Sequence, residues 1–238
     1  MILLVDIGNS RIKWRLSDDG QRIEGAAAHD DLDPLRQLLT NQPRIDRIVA
    51  ANVAGPCLRD TLEQLATNHR LRVEWLLASP VRCGVRNLYH DAAQLGADRW
   101  AAAIGARHHH PHPCIVVMAG TATTVDLIDG EGCFHGGIIL PGVELMQRAL
   151  ASNTAQLTLR AGRFDATPKC TADAIFSGCV QAQAGAVERM FAQISGQPGA
   201  RCLISGGAAD AFCSLLSIPK RKIDNLVLDG LACIAAEA

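Results

Sequence analysis

The stretch Cys114–Gly142, CIVVMAGTATTVDLIDGEGCFHGGIILPG, constrains this chain more than any other. Ile115, Val116 and Val117 form a short β-branched run, as expected of a strand buried on both faces. Gly120-Thr121-Ala122-Thr123-Thr124 interrupts it with small residues and three hydroxyls, and Val125 to Ile128 resumes the strand. Asp129-Gly130 is a hairpin-turn signal. A turn of backbone amides and hydroxyls between two strands suits a polyanion, because each donor meets a phosphate oxygen with no bulky side chain intervening. Taken alone, the same residues also fit an ordinary polar hairpin. The pattern recurs, however. Ile2 to Val5 runs into Asp6-Ile7-Gly8-Asn9-Ser10 and returns over Ile12 to Leu16, so Gly8 aligns with Gly120, Asn9 with Thr121 and Asp6 with Met118. Cys202 to Ile204 runs into Ser205-Gly206-Gly207-Ala208-Ala209 as a third unit. Three such units in this order predict a site assembled from two similar halves and closed over a nucleotide.

The length of 238 residues allows two halves of about 100–130 residues each, divided here as 1–112 and 113–238. A net charge of −1 argues against a general nucleic-acid binder, which carries a concentrated basic excess. Nine cysteines with no CxxC pair fit free thiols in a reducing cytoplasm, neither a disulfide framework nor a zinc ribbon. MILLVDIGNS has no basic n-region, and no run reaches the roughly eighteen uncharged apolar residues of a membrane span. The expectation is a cytoplasmic protein without nucleic-acid or membrane partners.

Strands and helices alternate, which implies an α/β fold with mixed sheets. Helices are expected over 31–40, 58–68, 100–107, 143–152, 171–194 and 225–236, with further strands over 45–52, 73–77 and 201–205. Asp6, at a strand end, can hold a hydrated Mg²⁺ beside phosphates, the alternative being a plain Asx turn. Lys13 adds a positive charge there or simply faces solvent. Residues 79–98 read as a loop carrying chemistry, with the single tyrosine, Tyr89, and then Gly96-Ala97-Asp98-Arg99 opening a helix. The macrodipole favours an ionised Asp98, and Asp98 with Arg99 can hold a hydroxyl and a carboxylate of one small substrate. The simpler reading of Asp98 is an N-cap. His108-His109-His110-Pro111-His112 reads as a solvated helix C-terminus, because no acidic or cysteine partner lies at metal-ligand spacing. Thr171-Ala172-Asp173 is expected to cap a long helix. Its small-residue face, including Ala174, Gly178 and Ala182, permits close packing with another subunit.

With these pieces assembled, the sequence resembles the type III pantothenate kinases of the acetate/sugar kinase–Hsp70–actin superfamily, nearly end to end. The markers are DIGNSRIKW at 6–14, GADRW at 96–100, GTATTVD at 120–126, GGIILPG at 136–142, TADAIFSG at 171–178 and ISGGAA at 204–209. The resemblance implies two actin/RNase H-like halves, each a mixed sheet flanked by helices, with a nucleotide cleft between them. It implies ATP-dependent phosphorylation of pantothenate to 4'-phosphopantothenate, the first step towards coenzyme A, by a homodimer using Mg²⁺. Carried over by position, Asp6, Ile7, Gly8, Asn9, Ser10, Arg11, Ile12, Lys13 and Thr121 bind ATP, with Asp6 near the metal. Tyr89, Gly96, Ala97, Asp98, Arg99 and Thr171 bind pantothenate, Thr171 from the partner subunit, and Asp98 is the catalytic base. Ser205-Gly206-Gly207 matches the region that receives the adenosine. Many relatives place Asp two residues before the second loop's glycine to bind K⁺ or NH₄⁺. Met118 occupies that position here, and a thioether is a poor ligand for a hard cation, so weak or absent potassium activation is expected. The competing reading is a non-catalytic nucleotide-binding regulatory protein of the same fold, which has no need of Asp6 or Asp98.

Overall fold

A computed structural model describes residues 1–18, 21–153 and 160–237. The chain divides into two compact units, Met1–His109 with Asn225–Ala238, and His110–Asp224.

In the first unit, β1 (Ile2–Ile7), β2 (Ile12–Asp18) and β3 (Gln21–Ala27) form an antiparallel meander. After it come α1 (Asp33–Asn41), β4 (Arg47–Asn52), α2 (Pro56–Asn68) and β5 (Arg72–Trp75). The sheet order is β3-β2-β1-β4-β5, with β4 parallel to β1 and β5 parallel to β4. Leu3, Val5 and Ile7 pack with Leu35 and Leu39 of α1 and Leu62 and Leu65 of α2. Strand β3 carries no clear alternation. Its Gly25 lies under the Trp14 ring, where a Cβ would overlap the indole, so tertiary packing selects that residue. The segment expected as a loop over 79–98 contains a hairpin, β6 (Val81–Arg82) and β7 (Val85–Asn87). Its two-residue turn, Cys83-Gly84, has φ of 48° and 73°, the double left-handed turn whose twist matches the strands it joins. A 3-10 turn over Ala92–Gln94 leads to α3 (Ala97–His109).

The second unit repeats this plan. Its elements are β8 (Cys114–Ala119), β9 (Ala122–Ile128), β10 (Cys133–Pro141), α4 (Val143–Asn153), α5 (Thr171–Phe191), β11 (Arg201–Ser205) and β12 (Lys220–Lys222). They run β10-β9-β8-β11-β12, with two antiparallel pairings followed by two parallel ones, as in β3-β2-β1-β4-β5. The expected pair of similar halves is therefore present as strand topology. The turns differ in length, since the Gly8 amide donates to the Arg11 carbonyl, three residues on, at 3.1 Å and the Gly120 amide to the Ala122 carbonyl, two residues on, at 3.0 Å. The third strand-to-turn unit is of another kind. Strand β11 lies parallel to β8 and is the counterpart of β4, not half of a hairpin. Lys220–Lys222 is exposed and forms the short edge strand β12, whose charges discourage further pairing.

The last helix, α6 (Leu226–Glu237), groups with the first unit, whereas the division read from sequence at 112/113 places it in the second half. The reason is apolar coverage. Strand β1 is buried on both faces, and α6 lies against β1 and β4 with Leu226, Val227, Leu231 and Ile234 buried. It crosses α3 at two glycines. A Cβ on Gly105 would overlap the Leu226 carbonyl oxygen, and one on Gly230 would overlap that of Ala101. Buried Arg15 of β2 then donates to Asp229 at 2.6 Å, and His109 Nε2 meets the other Asp229 oxygen at 2.7 Å.

Alanine at Gly230 gains about 1 kcal/mol of helix propensity, yet the overlap is with backbone and cannot be relieved by a rotamer. Overpacking of this kind costs roughly 1–3 kcal/mol or more, so Gly230→Ala is expected to be destabilising overall. Urea denaturation measures it, and a variant at least as stable as the parent contradicts the crossing.

Candidate active site

Strand β1 delivers Asp6 to the mouth of the first turn, and the hairpin register sets Asp6 directly across from Lys13. Gly8 closes the turn, with His29 Nε2 at 2.9 Å from the Gly8 carbonyl oxygen, while Asn9, Ser10 and Arg11 are exposed at its tip. Burial pushes the Asp6 carboxyl up to about 7. The Lys13 ammonium opposes that shift, and the Asp98 carboxylate reinforces it. Lys13 Nζ reaches Asn225 Oδ1 at 3.4 Å, and Asn225 itself sits in the left-handed region with φ of 50°. Sequence spacing does not show Asn225, because it lies 212 residues from Lys13.

Asp98 is the second residue of α3, inside its first turn, and its Oδ1 accepts the Arg99 amide at 2.8 Å. A Cβ on Gly96 would stand 2.8 Å from that same oxygen, so glycine here leaves room for the carboxylate. Burial raises the Asp98 pKa, with the Arg99 amide and guanidinium acting in the opposite direction. Arg99 is buried, and its guanidinium donates to the Tyr89 hydroxyl at 2.9 Å while standing 5.7 Å from the Tyr89 ring centre. Asp6, Lys13, Tyr89, Gly96, Ala97, Asp98 and Arg99 thus all belong to the first unit. The α3 N-terminus combines an anionic group with a cationic one, suited to a substrate bearing both a hydroxyl and a carboxylate.

Thr121 and Thr171 belong to the second unit. Thr121 is exposed at the β8–β9 turn, and its carbonyl accepts the Gly142 amide at 2.8 Å. A Cβ on Gly142 would overlap the Gly120 carbonyl oxygen, so the entrance to α4 presses on this turn. Gly206, with φ of 104°, presses on the end of β8 in the same way, against the Ala119 carbonyl. Met118 lies beside Ser205 in the parallel ladder and opposite Thr124 in the antiparallel one. Thr171 is the first residue of α5, and the expected cap differs. Cys170 is the N-cap and makes no side-chain capping bond, while Asp173 accepts the Arg163 amide at 2.8 Å. Pro141, Met146, Leu150, Thr171, Ile175 and Gly178 line an open apolar groove of about 690 Å³ along α4 and α5. The histidine run is less solvated than its sequence suggests, since His109 meets Asp229 and His110 Nε2 lies 2.9 Å from the Gly199 carbonyl oxygen. No group of three or more metal-ligating side chains occurs among the described residues. Nor is any helix among them long and apolar enough to cross a membrane.

The family model of type III pantothenate kinases matches residues 2–193. A type III pantothenate kinase of Aromatoleum aromaticum is 52% identical over 238 residues, covering 100% of this chain and 98% of that protein. One from an Azoarcus species is 51% identical, covering 99% of this chain and 91% of that protein. Among solved structures, a Campylobacter jejuni protein described as a Baf family transcriptional activator superposes with a TM-score of 0.65 at 22% identity, over 99% of this chain and 98% of that one. A Sinorhizobium meliloti protein described as a 2-dehydro-3-deoxygalactonokinase gives 0.58 at 16% identity, over 100% and 99%. At those identities the two structures speak to fold alone. Sequence identity carries the assignment, and by it the chain belongs to the type III pantothenate kinase family.

Proposed function

We propose that this chain transfers the γ-phosphoryl group of ATP to the primary hydroxyl of pantothenate, giving 4'-phosphopantothenate for coenzyme A synthesis. The observation that carries the reading is the placement of half-buried Asp98 and buried Arg99 on α3 with half-buried Asp6 and Lys13 on the first hairpin. Phosphoryl transfer through a loose transition state needs positioning and charge neutralisation more than a strong base. Asp98 orients the hydroxyl and accepts its proton late. Arg99, steadied by Tyr89, meets the pantothenate carboxylate, with the Gly96-Ala97 backbone beside it. Residues 6–13 and Thr121 hold the ATP phosphates, with Lys13 supplying positive charge.

The residues present fit Mg²⁺. A desolvated carboxylate with a raised pKa is the group whose ionised form a divalent cation favours, and Asp6 would hold the ion, through water. When bound, the ion neutralises charge on the β- and γ-phosphates. In the second unit, the apolar groove along α4 and α5 and exposed Leu145 and Leu150 support a homodimer in which Thr171 serves the partner's substrate. Nine free cysteines suit the reducing cytoplasm.

A coupled ADP-release assay with pantothenate and Mg-ATP tests the reading. Turnover is expected to require pantothenate, and Asp98→Asn is expected to lower kcat by about 10²–10⁴ while leaving ATP binding intact. Pantothenate-independent ATP hydrolysis, or a folded protein that binds ATP without turnover, would contradict it. Because Met118 offers no carboxylate to a hard cation, KCl titrated against choline chloride is expected to raise the rate weakly or not at all. A many-fold rise would show that another group supplies the cation site.

A further inference from the structure

We propose that Asn87, which lies outside the residues assigned to the substrate, is a positioning residue for pantothenate recognition, acting through Tyr89 on Arg99. The inference rests on the assignment of Tyr89 and Arg99 to the substrate made above. Arg99 is fixed at its backbone by α3, but its guanidinium ends a long side chain with many rotamers. A defined position therefore needs an anchor, and the Tyr89 hydroxyl, accepting at 2.9 Å, provides one. Tyr89 in turn lies between β7 and the 3-10 turn, outside any strand ladder.

Asn87 helps to hold that segment. It is the last residue of β7, only 7% exposed, and its own amide donates to the Pro80 carbonyl at 2.8 Å. Its carboxamide works in two directions. Oδ1 accepts the Tyr89 amide at 3.1 Å, an Asx turn that tucks Asn87 and Tyr89 inward and leaves Leu88 exposed between them. Nδ2 donates to the Ala92 carbonyl at 3.3 Å, tying the same segment to the turn that leads into α3. Only a planar group with a donor and an acceptor does both. Aspartate keeps the bond to Tyr89 and loses the one to Ala92, and alanine loses both. Asn87 is not within this chain of contacts as a ligand group, so its effect should fall on substrate affinity and not on the chemical step.

The test is a steady-state cycle of Asn87→Ala, Asn87→Asp, Tyr89→Phe and Asn87→Ala/Tyr89→Phe, with thermal unfolding of each. Asn87→Ala should raise KM for pantothenate by about tenfold, through loss of the Tyr89 anchor on Arg99, with kcat and the KM for ATP little changed. Asn87→Asp should restore part of that loss. If Asn87 acts through Tyr89, the double variant should be no worse than the more impaired single one. Additive losses, a fall in kcat at unchanged KM, or wild-type kinetics in Asn87→Ala alongside an impaired Tyr89→Phe would overturn the inference alone. An unimpaired Tyr89→Phe would remove Tyr89 from the substrate site, and the inference with it. Should Asn87→Ala fail to fold, the same cycle built on Asn87→Asp decides between these outcomes.

Discussion

Desolvation of the Asp6 carboxylate is the constraint around which the first unit's proposed site residues are arranged. A buried charge is costly unless paired, and here the pairing is incomplete by construction. Lys13 stands across the hairpin from Asp6, but Asp98 adds a second negative charge nearby. Burial raises the pKa of both carboxyls. The sign of the linkage follows. The folded chain keeps a proton on Asp6 between about pH 4 and pH 7 that the unfolded chain gives up, so this group lowers stability as pH rises through that window. A divalent cation held by Asp6, as proposed above, would relieve that imbalance by favouring the ionised carboxylate.

Such an arrangement needs a stiff frame, and glycine supplies it through close approach of backbone to backbone. The α3–α6 crossing at Gly105 and Gly230 fixes the helix that presents Asp98 and Arg99. In the second unit, Gly142 and Gly206 press against the two sides of the β8–β9 turn in the same manner. A side chain at any of these four positions would open the contact. Gly96 does something different, since it makes room for the Asp98 carboxylate itself.

What could be read from sequence was local and repeated. The strand–turn–strand units at Asp6 and Gly120, the helix opening at Asp98 and the exact span of β11 follow from short-range patterns. Contacts remote in sequence were not legible. The grouping of α6 with the first unit depends on an uncovered sheet face more than 170 residues away, as the Asp229 pairing with Arg15 at a separation of 214 illustrates. The 81–87 hairpin is not legible because two- and three-residue strands leave no periodicity and Cys83 is not a residue that signals a left-handed turn. Strand β3 is not legible because Trp14, not its own pattern, dictates Gly25. The histidines after Arg107 looked solvated because Asp229 and Gly199 are distant along the chain.

The most direct test of this account is the titration of Asp6 itself, followed by carboxyl ¹³C NMR in ligand-free protein and again with Mg²⁺ and a non-hydrolysable ATP analogue. The account predicts an apparent pKa near about 7 without ligand, absent in Asp6→Asn, and a marked fall when the cation and nucleotide bind. A ligand-free carboxyl titrating near the ordinary value of about 4, or one indifferent to Mg²⁺ and nucleotide, would contradict it.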